Sequence, residues 1–337
     1  MSHDFSQINT TISIHETSFL TIDDFKDLLD SPSEQQSLRI LEDTNYFFRP
    51  EDLRTPQAIE GRLMNQLADE YKWIYEETPC QEVVDIFGSS YLFHNLKLFS
   101  KMLVTDKDLD ELLIPIGPYP LNELHHLAQT QESDIVDKTI TDNIREIWRE
   151  FQGYQDTEVF DVGLDMAYFD YLRVIAERLD LAIISQLVEA IIGFYNITTG
   201  LRAVQQDKPN SFMYEMMSDK ADLSIEEFID LVRENQVLSW FKGANQLPFN
   251  HGLQTFEQRL SQGKIDLSEI ENGQDFYIHQ LLTENRFQTD GPIPILRYLF
   301  GKEMEVKNLR LILVGRLNDL KEEQIIERMR PVYGQTV

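Results

Sequence analysis

The stretch Met304-Glu305-Val306-Lys307-Asn308-Leu309-Arg310-Leu311-Ile312-Leu313-Val314-Gly315-Arg316-Leu317 breaks at Asn318-Asp319. It resumes as Lys321-Glu322-Glu323-Gln324-Ile325-Ile326-Glu327-Arg328-Met329-Arg330. Val306, Leu309, Leu313 and Leu317, widened by Ile312, recur at helical spacing, so one face is expected to be buried while Lys307, Arg310 and Arg316 stay polar. A second short amphipathic helix is expected after the break, with Ile325, Ile326 and Met329 on its apolar side.

The same pattern occurs twice more. Asn95 lies in Phe93-His94-Asn95-Leu96-Lys97-Leu98 and Asn196 in Phe194-Tyr195-Asn196-Ile197-Thr198-Thr199, so that 101 and 112 residues separate Asn95, Asn196 and Asn308. Each Asn is read as opening a helical segment with a base soon after: Lys97 and Lys101, Arg202, Arg310 and Arg316. Each is followed by an acidic capped segment: Asp108 to Leu113, Ser224 to Phe228, Lys321 to Ile326. Three such segments in step predict a triplicated helical unit of roughly 100 residues, the usual size of a small domain. The expected divisions are 1–120 (the first repeat with N-terminal helices), 121–240 and 241–337.

Other signals along the chain are helical. Thr21-Ile22-Asp23-Asp24 reads as a capping box, Ser31-Pro32-Ser33-Glu34 as a helix start with Pro at the first position, and Thr55-Pro56 as the same device before a helix from about Gln57 to Lys72. A capped helix is expected after Asp108, ending near Pro115 and Gly117. Val136, Ile140, Ile144, Ile147 and Phe151 form one apolar stripe, and Leu164, Phe169, Leu172, Ile175 and Leu179 another. Breaks are expected at Gln205–Asn210 and at Lys242–Gly252. Strand-like alternation is nearly absent, and the chain is read as all-α.

Composition narrows the function. The 337 residues are ample for a core, and 58 acidic against 30 basic residues give a net charge near −28. That charge repels nucleic-acid phosphates and anionic lipid headgroups, so neither nucleic acid nor lipid is an expected direct partner. The lone Cys80 excludes an internal disulfide and a Cys-based zinc site. Met1 to Leu20 lacks a basic start and a long apolar core and is not read as a signal peptide. The most apolar helix candidate, Leu181 to Tyr195, is interrupted by Ser185, Gln186 and Glu189 and falls short of a membrane span, so no membrane insertion is expected.

No catalytic, cofactor or metal residue is assigned. Asp23-Asp24-Phe25-Lys26-Asp27 has the aspartate-rich look of an isoprenoid synthase. It sits in a first helical turn, however, where capping and the helix dipole favour acids without any metal. His125 and His126 are adjacent, so on a helix they diverge and cannot share an ion. Gly301-Lys302 lacks the rest of a phosphate loop. Asp161, Asp165 and Asp170 are read as a solvated helix face.

With those segments in view, the sequence resembles the C subunit of bacterial and archaeal V-type ATPases, whose eukaryotic counterpart is the d subunit. His94-Asn95-Leu96-Lys97 running on to Leu112-Leu113-Ile114-Pro115-Ile116-Gly117, Leu164-Asp165-Met166-Ala167-Tyr168-Phe169, and Val306 to Leu317 with Glu322 to Arg330 carry the likeness. It extends from Phe25-Lys26-Asp27-Leu28-Leu29 to Arg330. An acidic residue commonly stands three before each repeat Asn in that family; here the positions are Leu92, Gly193 and Glu305. The resemblance implies an all-helical, funnel-shaped protein of three pseudo-symmetric helical subdomains. It would be non-catalytic, couple central shaft subunits to the membrane rotor ring, and lie peripherally on the cytoplasmic side of the cell membrane.

On that expectation Lys97, Lys101, Arg202, Arg310 and Arg316 line the funnel or one end of it and meet a partner, or else they are exposed helix residues with acidic neighbours. Asn95, Asn196 and Asn308 are read as helix-to-helix hydrogen bonds or as interface contacts. A helical-repeat scaffold and a magnesium-dependent isoprenoid-type enzyme are the rival readings, although scaffold repeats usually run only ~30 to 50 residues.

Overall fold

The computed structural model describes residues 4–42, 44–105, 107–244, 251–262 and 267–334. Sixteen α-helices and no strand occur among them. The chain is all-α. Its residues fall into two compact units: Met1–Cys80 with Asn250–Phe256 and Asp275–Val337, and Gln81–Phe249 with Glu257–Gln274.

The first unit begins with α1 (Ser6–His15), α2 (Ile22–Asp30), α3 (Glu34–Glu42) and α4 (Pro56–Glu77). Thr21 and Asp24 cap α2 reciprocally, with Asp24 N–H donating to Thr21 Oγ1 (3.2 Å) and Thr21 N–H to Asp24 Oδ2 (2.7 Å). Thr55 caps α4 with Pro56 in its first turn. Helix α3 starts later than Ser31-Pro32 suggests. Ser33 takes the capping role by accepting Gln36 N–H on its hydroxyl, and Pro32 lies upstream of the helix. α4 packs along the long helix at Ile293–Leu317.

The second unit opens with α5 (Gln81–Thr105), a three-residue 3-10 turn at Asp110–Leu112, α6 (Leu121–Thr130), α7 (Lys138–Tyr154), α8 (Glu158–Leu179) and α9 (Ala182–Gln205). It continues with α10 (Asn210–Met216), α11 (Ile225–Arg233) and α12 (Val237–Ala244). The break at 205–210 falls where Lys208-Pro209 ends α9, and most of the 242–252 break lies outside the described residues. The helix expected after Asp108 is only the 3-10 turn, because Pro115 soon removes a donor and the chain runs extended through Leu113. α5 packs on α8 and α6, α7 on α8, and α9 on α8 and α11.

Two further helices, α13 (His251–Ser261) and α14 (Leu267–Glu284), contribute residues to both units, and α15 (Ile293–Leu317) with α16 (Glu322–Ile326) completes the first. α15 buries Val306, Leu309, Ile312 and Leu313, whereas Leu317 at its end is 41% exposed. In α16 only Ile325 is buried and Ile326 stands exposed; the helix ends before Met329, which is half-buried in the following turn.

α9 is longer than Leu181–Tyr195. At 24 residues it is long and apolar enough to cross a membrane by length and composition, so only the expected shortness of this helix is corrected. Its Ile183, Ile184, Leu187, Val188, Ile192 and Phe194 are buried within the second unit, as in the central helix of a folded core.

Candidate functional site

The three repeat asparagines sit in mid-helix, in α5, α9 and α15, rather than at helix starts. All are fully buried. Each uses both ends of its amide on the backbone of one residue downstream. Asn95 donates to Ile114 O (2.6 Å) and accepts Ile114 N–H (2.9 Å). Asn196 does the same with Ser218 (2.9 and 2.8 Å), and Asn308 with Arg330 (3.1 and 2.7 Å). These are helix-to-loop bonds, not helix-to-helix ones. An extended segment returning past a helix leaves one N–H and one C=O without a partner. A primary amide, with donor and acceptor on one planar group, satisfies both.

The partner lies 19, 22 and 22 residues after its Asn. Between them stands a short helical turn: Asp110–Leu112, α10 or α16. The second-repeat counterpart is therefore α10, because the Ser224-capped segment follows Ser218 instead of preceding it. Sequence reasoning misses these partner residues, but Ile114-Pro115-Ile116 and Arg330-Pro331-Val332 share an X-Pro-apolar signal, with Ile116 and Val332 both buried.

The residue before each Asn extends the pattern. His94 Nε2 lies 3.0 Å from Leu112 O, and Tyr195 OH donates to Met216 O (3.1 Å), each two residues ahead of the clamped one. Lys307 instead reaches Asp275 (2.9 Å). Burial, then the Asp165 carboxylate, pushes the Tyr195 phenol up to about 12. A folded value above the unfolded one, about 10, means its contribution to stability is intact below pH ~10. It is lost as pH rises from there through about 12. Spectrophotometric titration of wild type against Tyr195→Phe is expected to remove one phenol ionising near that upper limit; a Tyr195 that ionises with the exposed tyrosines contradicts the burial.

The position three before each Asn differs every time. Leu92 is buried, and a Cβ at Gly193 would meet Trp240 Cζ2 at 2.8 Å, so the glycine lets the indole rest on α9. Gly193→Ala is expected to lose about 1 kcal/mol net, since overpacking costs about 1–3 and helix propensity returns about 1. Urea unfolding followed by tryptophan fluorescence checks this, and a stabilised variant contradicts it.

Glu305 is buried at the third such position. It accepts Leu20 N–H (2.6 Å), Tyr46 OH (2.8 Å) and Lys302 Nζ (3.0 Å). Lys302 is itself 2% exposed and lies 4.2 Å from the Phe19 ring centre. Glu70 next to this network accepts from Tyr298 OH (2.7 Å) and Trp73 Nε1 (2.9 Å).

The five bases occupy different settings. Lys97 pairs with Asp165 (2.8 Å) and Lys101 with Asp161 (2.6 Å), a ladder between α5 and α8 that replaces the solvated face expected for those aspartates. Its members are 22–44% exposed, so each pair contributes only about 0–1 kcal/mol. Arg310 forks onto both Glu60 oxygens (2.7 Å to Oε1). Arg316 holds the end of α2 by donating to Leu28 O (2.8 Å), Ser31 O (2.6 Å) and Ser37 Oγ (2.9 Å), a cation at a helix C-terminus. Arg202 is exposed at the last turn of α9, with no ion pair among the described residues.

Among the described residues no group of three or more His, Cys, Asp or Glu is placed to hold a metal ion. Asp24 serves the α2 cap and Asp23 a surface pair with Lys26 (3.3 Å).

The C subunit of the V-type sodium ATPase of Enterococcus hirae is 28% identical over 330 residues, 98% of this chain and 99% of that one. The C subunit of the A-type ATP synthase of Methanocaldococcus jannaschii is 25% identical over 350 aligned positions, 95% of this chain and 85% of that one. Residues 8–328 match the family described as ATP synthase (C/AC39) subunit, and the chain belongs to that family.

Proposed function

We propose that this protein is the non-catalytic subunit of a V-type ATPase that couples the rotating central shaft to the membrane rotor ring. Proton or sodium transport would be driven by ATP hydrolysis, or the machine would run toward ATP synthesis. The near end-to-end correspondence with the Enterococcus protein carries this reading. Divisions at 1–120, 121–240 and 241–337 would each hold one asparagine clamp as a repeat core.

Torque transfer needs stiff elements and complementary surfaces rather than acid-base groups. A two-bond clamp on a buried backbone suits that task, since a single amide fixes a returning segment in position and register. Of the five bases, Lys97, Lys101, Arg310 and Arg316 are engaged within the chain, so Arg202 is the first candidate for meeting a partner. The protein would lie peripherally on the cytoplasmic side, held by the shaft and ring subunits.

The test uses membranes of cells lacking this chain, before and after its restoration. Restoration is expected to recover ATP-driven ion uptake and to bring down shaft and ring subunits in stoichiometric amounts with the tagged chain. Uptake indifferent to the chain, or its recovery alone where other membrane complexes stay intact, contradicts the proposal.

A further inference from the structure

The first unit contains a cavity whose wall contrasts with this acidic chain. His279, Thr283 and Arg286 line it from α14 and the turn after it, Arg297 from α15, and Tyr333 closes one side. Gly301 makes that closure possible, because a Cβ there would meet Tyr333 Cδ2 at 2.5 Å. The cavity is about 50 Å³, room for a few waters or one phosphate-sized anion.

Its charge balance is the informative part. Acidic residues outnumber basic ones 58 to 30 in the chain, yet this wall carries two guanidiniums and an imidazole. Glu16 is the carboxylate that the described contacts bring to Tyr333 and Arg297. It accepts the Tyr333 hydroxyl and stands 3.9 Å from Arg297 Nη1, too far for a direct hydrogen bond. Arg286 donates to Thr283 O (3.0 Å) and lies 4.4 Å from the Phe287 ring centre, with no ion pair among the described residues. Two guanidiniums offer more N–H donors than these contacts use, in the planar fork that suits phosphate oxygens.

We propose that this cavity binds a phosphate group, free or at the end of a nucleotide, with Arg286 and Arg297 as the anchors and the Thr283 hydroxyl, which lies 3.5 Å from His279 Nε2, beside them. Isothermal titration of the full chain at pH 7 in about 0.1 M salt, with inorganic phosphate, ADP, adenosine and acetate, tests it. One-to-one binding of phosphate or ADP is expected with Kd below about 1 mM, weakened at least about tenfold in Arg286→Gln and in Arg297→Gln.

Binding of both ligands assigns a general phosphate site, and binding of ADP alone makes a nucleotide the source. Arg286 pairs with no carboxylate among the described residues, so Arg286→Gln is expected to unfold at the wild-type temperature and keeps the test valid if Arg297→Gln fails to fold. Absence of saturation with either ligand by about 10 mM overturns the proposal. So does binding undiminished in Arg286→Gln, or adenosine or acetate binding as tightly.

Discussion

Lys302→Met is expected to cost about 3–5 kcal/mol, because it leaves the buried Glu305 carboxylate without its cation. Against a usual total of about 5–15 kcal/mol, such a loss is a large fraction of the stability available. The size follows from burial. Lys302 and Glu305 are 2% and 3% exposed in their side chains, so water cannot take over from a missing partner. The half-exposed ladder of Lys97, Lys101, Asp161 and Asp165 is solvated when broken, and single changes there are expected to cost under about 1 kcal/mol.

The double variant Lys302→Met with Glu305→Gln separates charge from shape. Glutamine carries no charge, still accepts Leu20 N–H on its one oxygen, and turns its NH2 toward the Tyr46 hydroxyl, which can accept in place of donating, so most of the loss should be regained. Urea midpoints at constant slope give the cycle. A double variant no more stable than Lys302→Met would show that the lysine acts through packing on Phe19 and Tyr298, not through charge.

Asn196→Asp is expected to be the most damaging isosteric change, about 3–5 kcal/mol at pH 7. The carboxylate still accepts Ser218 N–H, but its second oxygen faces Ser218 O, acceptor against acceptor, in a site without solvent. Asn196→Ala leaves two backbone groups unpaired and should cost somewhat less, about 2–4 kcal/mol. The pH dependence distinguishes them. Burial raises the introduced carboxyl in the folded protein, and its protonated form regains a donor for Ser218 O. The aspartate variant therefore keeps most of its stability below the unfolded carboxyl pKa and loses it as pH rises through the folded one. Thermal unfolding from pH 4 to 8 checks the ordering, and an Asn196→Asp chain as stable as wild type at pH 7 would remove the clamp's significance.

The helical class is legible because its determinants are local. Thr21-Asp24 and Thr55-Pro56 cap helices whatever surrounds them, and the apolar spacing of Val306, Leu309 and Leu313 can bury only one face of a helix. Asn95, Asn196 and Asn308 are legible as a repeated mark, but their partners are not. Ile114, Ser218 and Arg330 share no side-chain chemistry, since the clamp reads only backbone, which every residue carries. The aspartates at 161 and 165 mislead for a related reason: their lysines come from a helix some 60 positions upstream. Ile326 and Leu317 fit an apolar stripe by spacing, yet both fall where α15 and α16 end and no neighbouring element covers them. Gly193 is silent in sequence because its importance depends on Trp240, which only the fold brings to it.

The contacts that knit the first unit together also set an order of assembly. Arg316 reaches Leu28 and Ser31 across 288 and 285 positions, Arg310 reaches Glu60 across 250, and Glu305 meets Leu20 across 285. During synthesis the opening 80 residues have left the ribosome long before those partners exist, and closing so long a loop is a slow, entropically costly step. The asparagine clamps at Asn95 and Asn196 close loops of about 20 residues and can form as soon as their own segment emerges. The segment up to Cys80, made before the middle of the chain, is thus expected to find its final place after it.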